Sequence, residues 1–295
     1  MRTRRFPRLL ALAALSPVLA LAACSAESGT SGADGNDPSR SASHQGKAGV
    51  GKKAGEDATG PIRDLFTQGL PQKAGGTESS FSPAFDFDKD SCYPAVAITQ
   101  LGVVNPGLDF VGGATGQCRE PDDLNRNQLY ARSTCNNGWC AVMYALYFEK
   151  DVPSAGGSAI TGAGHNHDWE HVISWINQST NQVEYVSVTA HGSYHTTARD
   201  QVLFEGTHPK VVYHQDGGST HALRLGNGSD EPVENDSGAW VHPPLVDWNG
   251  FPSTEVRDKL MNADFEHAQL DLRDSSYASK LAQAKPQDVP LDPNG

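Results

Sequence analysis

Eight consecutive residues, Ala141-Val142-Met143-Tyr144-Ala145-Leu146-Tyr147-Phe148, carry no charge, the longest such apolar run outside the N-terminus. A run of this length, closed by Glu149-Lys150-Asp151, reads as a β-strand buried on both faces. Such a strand has to be covered by the rest of its domain, so the chain must build a layered, strand-rich core around it. Past a Gly- and Ala-rich loop (Ala155 to Ala163) comes the densest chemistry in the sequence, Gly164-His165-Asn166-His167-Asp168-Trp169-Glu170. Two imidazoles, two carboxylates and an indole fall within those seven residues.

In an extended segment alternate side chains share a face. Asn166, Asp168 and Glu170 then lie on one side, and His165, His167, Trp169 and His171 on the other. A tight turn entering the strand lets His165 swing round to join Asp168 and Glu170, and Asp151 can approach from the far end of the loop. Asp151, His165, Asp168 and Glu170 therefore form a candidate site for a divalent cation, Mg²⁺ or Ca²⁺ first and Mn²⁺ as a further option. Buried together without a cation, these acids would repel one another and raise each other's pKa values. The plainer reading is a set of surface charges flanking a strand. A zinc hydrolase of the metallo-β-lactamase type fits poorly. In His165-x-His167-Asp168-x-x-His171 the aspartate falls one place early and the last histidine one place late for its H-x-H-x-D-H run. No G-x-S-x-G marks a nucleophile. His191-Gly192-Ser193 and His195 lack an orienting acid. Asn166, His167, Trp169, His191 and His221 are secondary candidates, the last two at strand ends or turns.

Eighteen prolines and thirty glycines, against three methionines, favour a domain rich in strands and loops over a helical bundle. Short strands are expected at Cys92–Gln100, from about Asp168 to Asn177, at Val183–Ala190, Lys210–His214 and His221–Leu225. A helical turn fits Pro121–Tyr130. Ser253, with Glu255 and Asp258, opens a helix carrying Val256, Leu260 and Met261 on one side. The last ten residues read as frayed. Together these elements predict an all-β-dominated sandwich with a few peripheral helices. A net charge of −12 excludes a nucleic-acid polyanion as partner.

Arg2, Arg4, Arg5 and Arg8 precede an apolar stretch, Leu9 to Ala23, of signal-peptide length and too short to span a membrane comfortably. It ends in Leu21-Ala22-Ala23-Cys24, which looks like a bacterial lipobox with lipidation at Cys24. The expected organisation is a lipoprotein signal over 1–23, a Ser-, Gly- and Ala-rich tether over 24–60, and a folded domain over 61–295. Four cysteines then remain, as two disulfides in an exported chain would require. Of three possible pairings the short loop favours Cys135–Cys140, and with it Cys92–Cys118. A zinc site of all four thiolates is the competing reading, although it lacks the usual CxxC spacing.

Gly164-His165-Asn166-His167-Asp168-Trp169-Glu170 resembles the G-H-R-H-D-W-E heptapeptide of the necrosis- and ethylene-inducing-peptide-like proteins, secreted plant cytolysins. Cys92-Tyr93-Pro94-Ala95-Val96, Cys135 to Asp151, His191-Gly192-Ser193-Tyr194 and Thr220-His221-Ala222-Leu223-Arg224 resemble other segments of that family, and the likeness runs from about Phe81 to Gln283. Four domain cysteines fit its two-disulfide type. The resemblance implies a jelly-roll-like β-sandwich similar to actinoporins and fungal lectins, with a divalent cation at Asp151, His165, Asp168 and Glu170. It further implies a non-enzymatic cytolysin, monomeric, that binds glycosyl inositol phosphoryl ceramide sphingolipids of plant plasma membranes. Sensing of Ala141 to Glu170 by a plant pattern-recognition receptor is also implied. Asn166 stands where the family has arginine, and the loop before His165 is longer than usual. A cell-surface carbohydrate-binding protein and an extracellular metallohydrolase are the alternative functions. The chain is expected to be exported and either lipid-anchored to the outer face of the bacterial membrane through Cys24 or secreted.

Overall fold

The computed structural model describes residues 64–153 and 164–295. The expected signal sequence, Cys24 and the tether lie outside these residues, as does the loop expected over Ala155 to Ala163. Ten strands are described: β1 Ala84–Phe87, β2 Leu129–Asn136, β3 Trp139–Asp151, β4 His165–Asn177, β5 Gln182–Ala190, β6 Ser193–Ala198, β7 Phe204–Glu205, β8 His208–Gln215, β9 His221–Leu225 and β10 Leu245–Asp247. They form a six-stranded sheet, in the order β10-β2-β3-β4-β5-β6, and a smaller sheet in which β8 pairs with β1, β7 and β9. Pairing is antiparallel except for β1 with β8 and β10 with β2.

The uncharged run sits at the centre of the larger sheet, in β3. Its Val142, Tyr144, Leu146 and Phe148 face the small sheet and pack with Phe85, Phe87, Val211, Tyr213 and Leu223. Its Ala141, Met143, Ala145 and Tyr147 face the opposite way, into a second apolar layer with Trp169, Ile173 and Trp175 of β4. That layer is closed by α2 (Thr254–Met261) and α3 (Tyr277–Ala284), through Val256, Leu260, Leu281 and the intervening Phe265. Over Ala141–Phe148 both faces of the strand meet apolar layers, which disfavour an unpaired charge and account for the run. A short helix, α1 (Gly76–Ser80), precedes β1. The result is the expected β-sandwich with a few peripheral helices.

Both disulfides are formed, Cys92–Cys118 and Cys135–Cys140, the second across the β2–β3 hairpin. Ser253 caps α2, its side chain accepting from the Val256 amide. Two local expectations are overturned. Cys92–Gln100 is not a strand: Pro94 lacks a donor, and the segment packs Tyr93, Val96 and Ile98 into the interior as an irregular loop with one bridge, Ile98 to Val104. Nor are the last ten residues frayed. Val289 and Leu291 are buried, and Asn136 clasps Asp292 through its amide in both directions, at 2.8 Å each way. Strand β4 begins at His165, three residues before the expected start.

Candidate metal centre

Strands β3 and β4 pair directly, with Asp151 opposite His165 and Phe148 opposite Asp168. Regular alternation would leave His165 and Asp168 on opposite faces. His167 breaks it with a left-handed φ of +55°, and the turn into the strand is set by Gly164 at φ +110°. A side chain at Gly164 would meet the Asp151 carbonyl, so only glycine lets the chain enter β4 this close to β3. The outcome is that ligand atoms of Asp151, His165 and Asp168 lie within 4.8 Å of one another. Glu170 stands outside that trio but lines the same cavity, of about 340 Å³.

Each member is held from behind. The Nδ1 proton of His165 goes to the His167 carbonyl at 2.7 Å, which leaves the Nε2 lone pair 3.9 Å from Asp151. The carboxylate of Asp151 accepts from the amide of His221 at 2.9 and 3.1 Å and from its Nδ1 at 2.6 Å. Asp168 accepts from the Tyr213 hydroxyl at 2.9 Å, and Glu170 accepts from the Thr189 hydroxyl. Ordering of a ligand by an outer partner is characteristic of metal sites.

Burial first, then the neighbouring Asp151 charge, raises the Asp168 pKa to about 7. Burial and Asp168 push Glu170 well above the usual carboxylate range. Burial alone would lower His221, but its bond to Asp151 and the surrounding acids outweigh that and raise it. Two buried carboxylates converge with one half-buried imidazole, Glu170 lies on the same cavity, and among the described residues no lysine or arginine forms an ion pair with Asp151, Asp168 or Glu170. The donor set, oxygen-rich with one nitrogen, fits a hard or borderline divalent cation.

The secondary candidates separate. His191 and His221 line the cavity, with His191 also 3.1 Å from Asp216. Trp169 lines it too, packed against Tyr130, Tyr147 and Phe265. Asn166 and His167 face elsewhere: Asn166 accepts from the Phe110 amide at 3.0 Å, and His167 meets the Tyr147 hydroxyl at 2.6 Å. Tyr213, Thr189, Asp271 and Lys280 were not foreseen. Thr189, Asp271 and Lys280 reach the cavity, and Tyr213 reaches Asp168, from sequence-distant elements, and no local pattern marks them.

A model of the family described as necrosis inducing protein (NPP1) matches residues 75–284, more than two thirds of the chain. The chain belongs to that family. An NLP effector protein 3 of Phytophthora capsici is 32% identical over 203 residues, 67% of this chain and 77% of the relative. Among solved members of the NPP1 toxin fold, one described as NLPPya in complex with mannosamine superposes with a TM-score of 0.62 at 28% identity, covering 75% of this chain and 96% of its own. Another, described as the non-toxic HaNLP3 protein, gives 0.61 at 26% identity, covering 75% and 97%. A relative described as non-toxic thus shares the architecture.

Proposed function

We propose that this protein is a cation-dependent, non-enzymatic cytolysin-like protein that binds the sugar-bearing headgroups of plant plasma-membrane sphingolipids, glycosyl inositol phosphoryl ceramides, and perturbs the bilayer. The observation that carries the reading is the convergence of Asp151, His165 and Asp168 at a polar cavity, in a fold whose solved relative holds mannosamine. Asp151, His165 and Asp168 hold the cation, Mg²⁺ or Ca²⁺ before Mn²⁺, with Glu170 as the outer carboxylate. The cation offsets the buried acids and supplies a positive centre to the headgroup's oxygens. The protein's own residues do the rest: His221, Tyr213 and Thr189 hold the acids in place, and His191 and Trp169 wall the cavity. No bond is broken in this function.

Export follows the lipobox reading, with cleavage before Cys24, a tether to about Gly60, and a monomeric folded domain beyond. Mass analysis of detergent-extracted protein should find a lipid mass on Cys24. The stretch Ala141 to Glu170 would be what a plant receptor senses. Infiltration of the purified domain into eudicot leaves tests the toxin reading: necrosis from the wild type and none from Asp168→Ala is the expected result. Headgroup binding without leakage or necrosis favours the second reading, a surface carbohydrate-binding protein. Two observations favour that alternative: the shared fold of a non-toxic relative, and Asn166, whose side chain is committed to the Phe110 amide.

A further inference from the structure

The imidazole of His221 is tied at one end to the cation site and faces an unused group at the other. Its Nδ1 donates to Asp151 at 2.6 Å, and its main-chain amide donates to the same carboxylate. The ring stacks on Tyr213 with centroids 5.2 Å apart. Tyr213 stacks in turn on Phe148 at 3.9 Å, while its hydroxyl donates to Asp168. The far nitrogen of His221, Nε2, is buried and makes no hydrogen bond. Asp90 Oδ1 lies 3.6 Å from it, and that oxygen is also buried without a hydrogen bond. Two such atoms side by side, just outside bonding distance, are uncommon, because buried polar atoms are nearly always satisfied.

The backbone sets the aim of Asp90, which sits in the turn between β1 and Cys92. The Asp88 amide donates to the Tyr213 carbonyl and the Ser91 amide to the Asp88 carbonyl, each at 3.0 Å. Arg119 donates to the carbonyls of Phe87 and Ser91 at 2.8 and 2.9 Å, and Cys92 ties the end of the turn to Cys118. We propose that Asp90 is a positioning residue for the cation site: it closes onto His221 Nε2 and, through that ring, holds Asp151 in its ligating orientation. The assignment rests on the reading of Asp151, His165 and Asp168 as a cation site, and adds a residue that acts on it at one remove. One proton between the two atoms satisfies both, with Nε2 donating and Oδ1 accepting. The imidazole then has a carboxylate at each end and an aromatic stack beneath it. Without Asp90 the ring is tethered at one end only, and the Asp151 carboxylate is ordered less well, which weakens a metal site as the loss of any outer partner does.

The test is calorimetric titration of Mn²⁺ into the full chain, for wild type, Asp90→Ala, Asp90→Asn, His221→Ala and the double variant Asp90→Ala/His221→Ala. The Asp90 side chain is 38% exposed, so its truncation leaves no closed cavity. Asp90→Ala should weaken Mn²⁺ binding by about 3- to 10-fold, the worth of one hydrogen bond. Asp90→Asn should stay within about 2-fold of wild type, because its amide can accept from or donate to Nε2 although the charge is gone. In the His221→Ala background, removing Asp90 should cost nothing further, since the two act as one unit. Thermal stability in chelator should be the same for wild type and both single Asp90 variants. Four results overturn the assignment and leave the cation reading standing. They are wild-type affinity in Asp90→Ala, equal losses in the Asn and Ala variants (a charge acting at a distance), a loss that persists without His221, and a loss of affinity matched by a loss of stability in chelator. Failure of the wild type to bind Mn²⁺ overturns the cation reading, and this assignment with it.

Discussion

Asp168 is the residue on which the electrostatics of the site turn. Its carboxyl titrates near 7 in the folded chain, against about 3.8 for an ordinary aspartate. Between those values the cation-free folded state holds a proton that the unfolded chain has lost, so its stability should fall as pH rises from about 4 to 7. A divalent cation competes for the same oxygens, and binds the deprotonated form. Chelated protein should therefore lose thermal stability as pH rises through this window, and added Mg²⁺ or Ca²⁺ should restore it at pH 7.5 far more than at pH 5. An equal gain at both pH values would contradict the site. His221 makes the companion case. Two main-chain contacts and an imidazole bond hold Asp151, so His221→Ala should weaken Mn²⁺ binding by about 10- to 100-fold in calorimetric titration, as loss of an outer partner does elsewhere. The heptapeptide was legible because His165, Asp168 and Glu170 are sequence neighbours and need only one turn to converge. The hydroxyls of Tyr213 and Thr189 were not legible. Each is an ordinary strand residue until tertiary pairing brings it to an acid.

At the scale of elements, β3 was legible for a physical reason: burial on both faces leaves a continuous apolar run, which no half-exposed strand produces. Strand β6, Ser193–Ala198, is the opposite case, a polar edge strand without periodicity, defined by pairing to β5. The C-terminal segment misled because proline, aspartate and glycine dominate it, and the two residues that anchor it, Val289 and Leu291, are only two residues apart. Their burial at roughly 1.5–3 kcal/mol each predicts that deleting residues 286–295 destabilises the domain by about 3–6 kcal/mol. Urea unfolding measures this directly, and a change below about 1 kcal/mol would be within the ordinary range for a peripheral tail. The segment also bonds to Asn136 and Asn137 on the disulfide-closed β2–β3 turn, so that turn is part of the anchorage.

Across the whole molecule, two sheets and a helical layer serve to carry two central strands, and those strands end together at the cavity. Apolar layers pack these strands on both faces, and the acids at their ends are the groups that the proposed cation would offset. Membership of the NPP1 family supplies the context of necrosis-inducing proteins, one solved relative is described in complex with mannosamine, and the shared fold of a relative described as non-toxic locates the question of toxicity in side chains rather than in architecture. The central claim is that the cation at Asp151, His165 and Asp168 is what joins this domain to a sugar-bearing membrane. It is tested most directly by co-sedimentation with vesicles containing plant glycosyl inositol phosphoryl ceramides, in chelator and in Mg²⁺ or Ca²⁺. Wild type should pellet with these vesicles only when the cation is present, and Asp168→Ala should stay in the supernatant under both conditions. Equal binding with and without cation, or binding by Asp168→Ala that matches the wild type, would contradict the account.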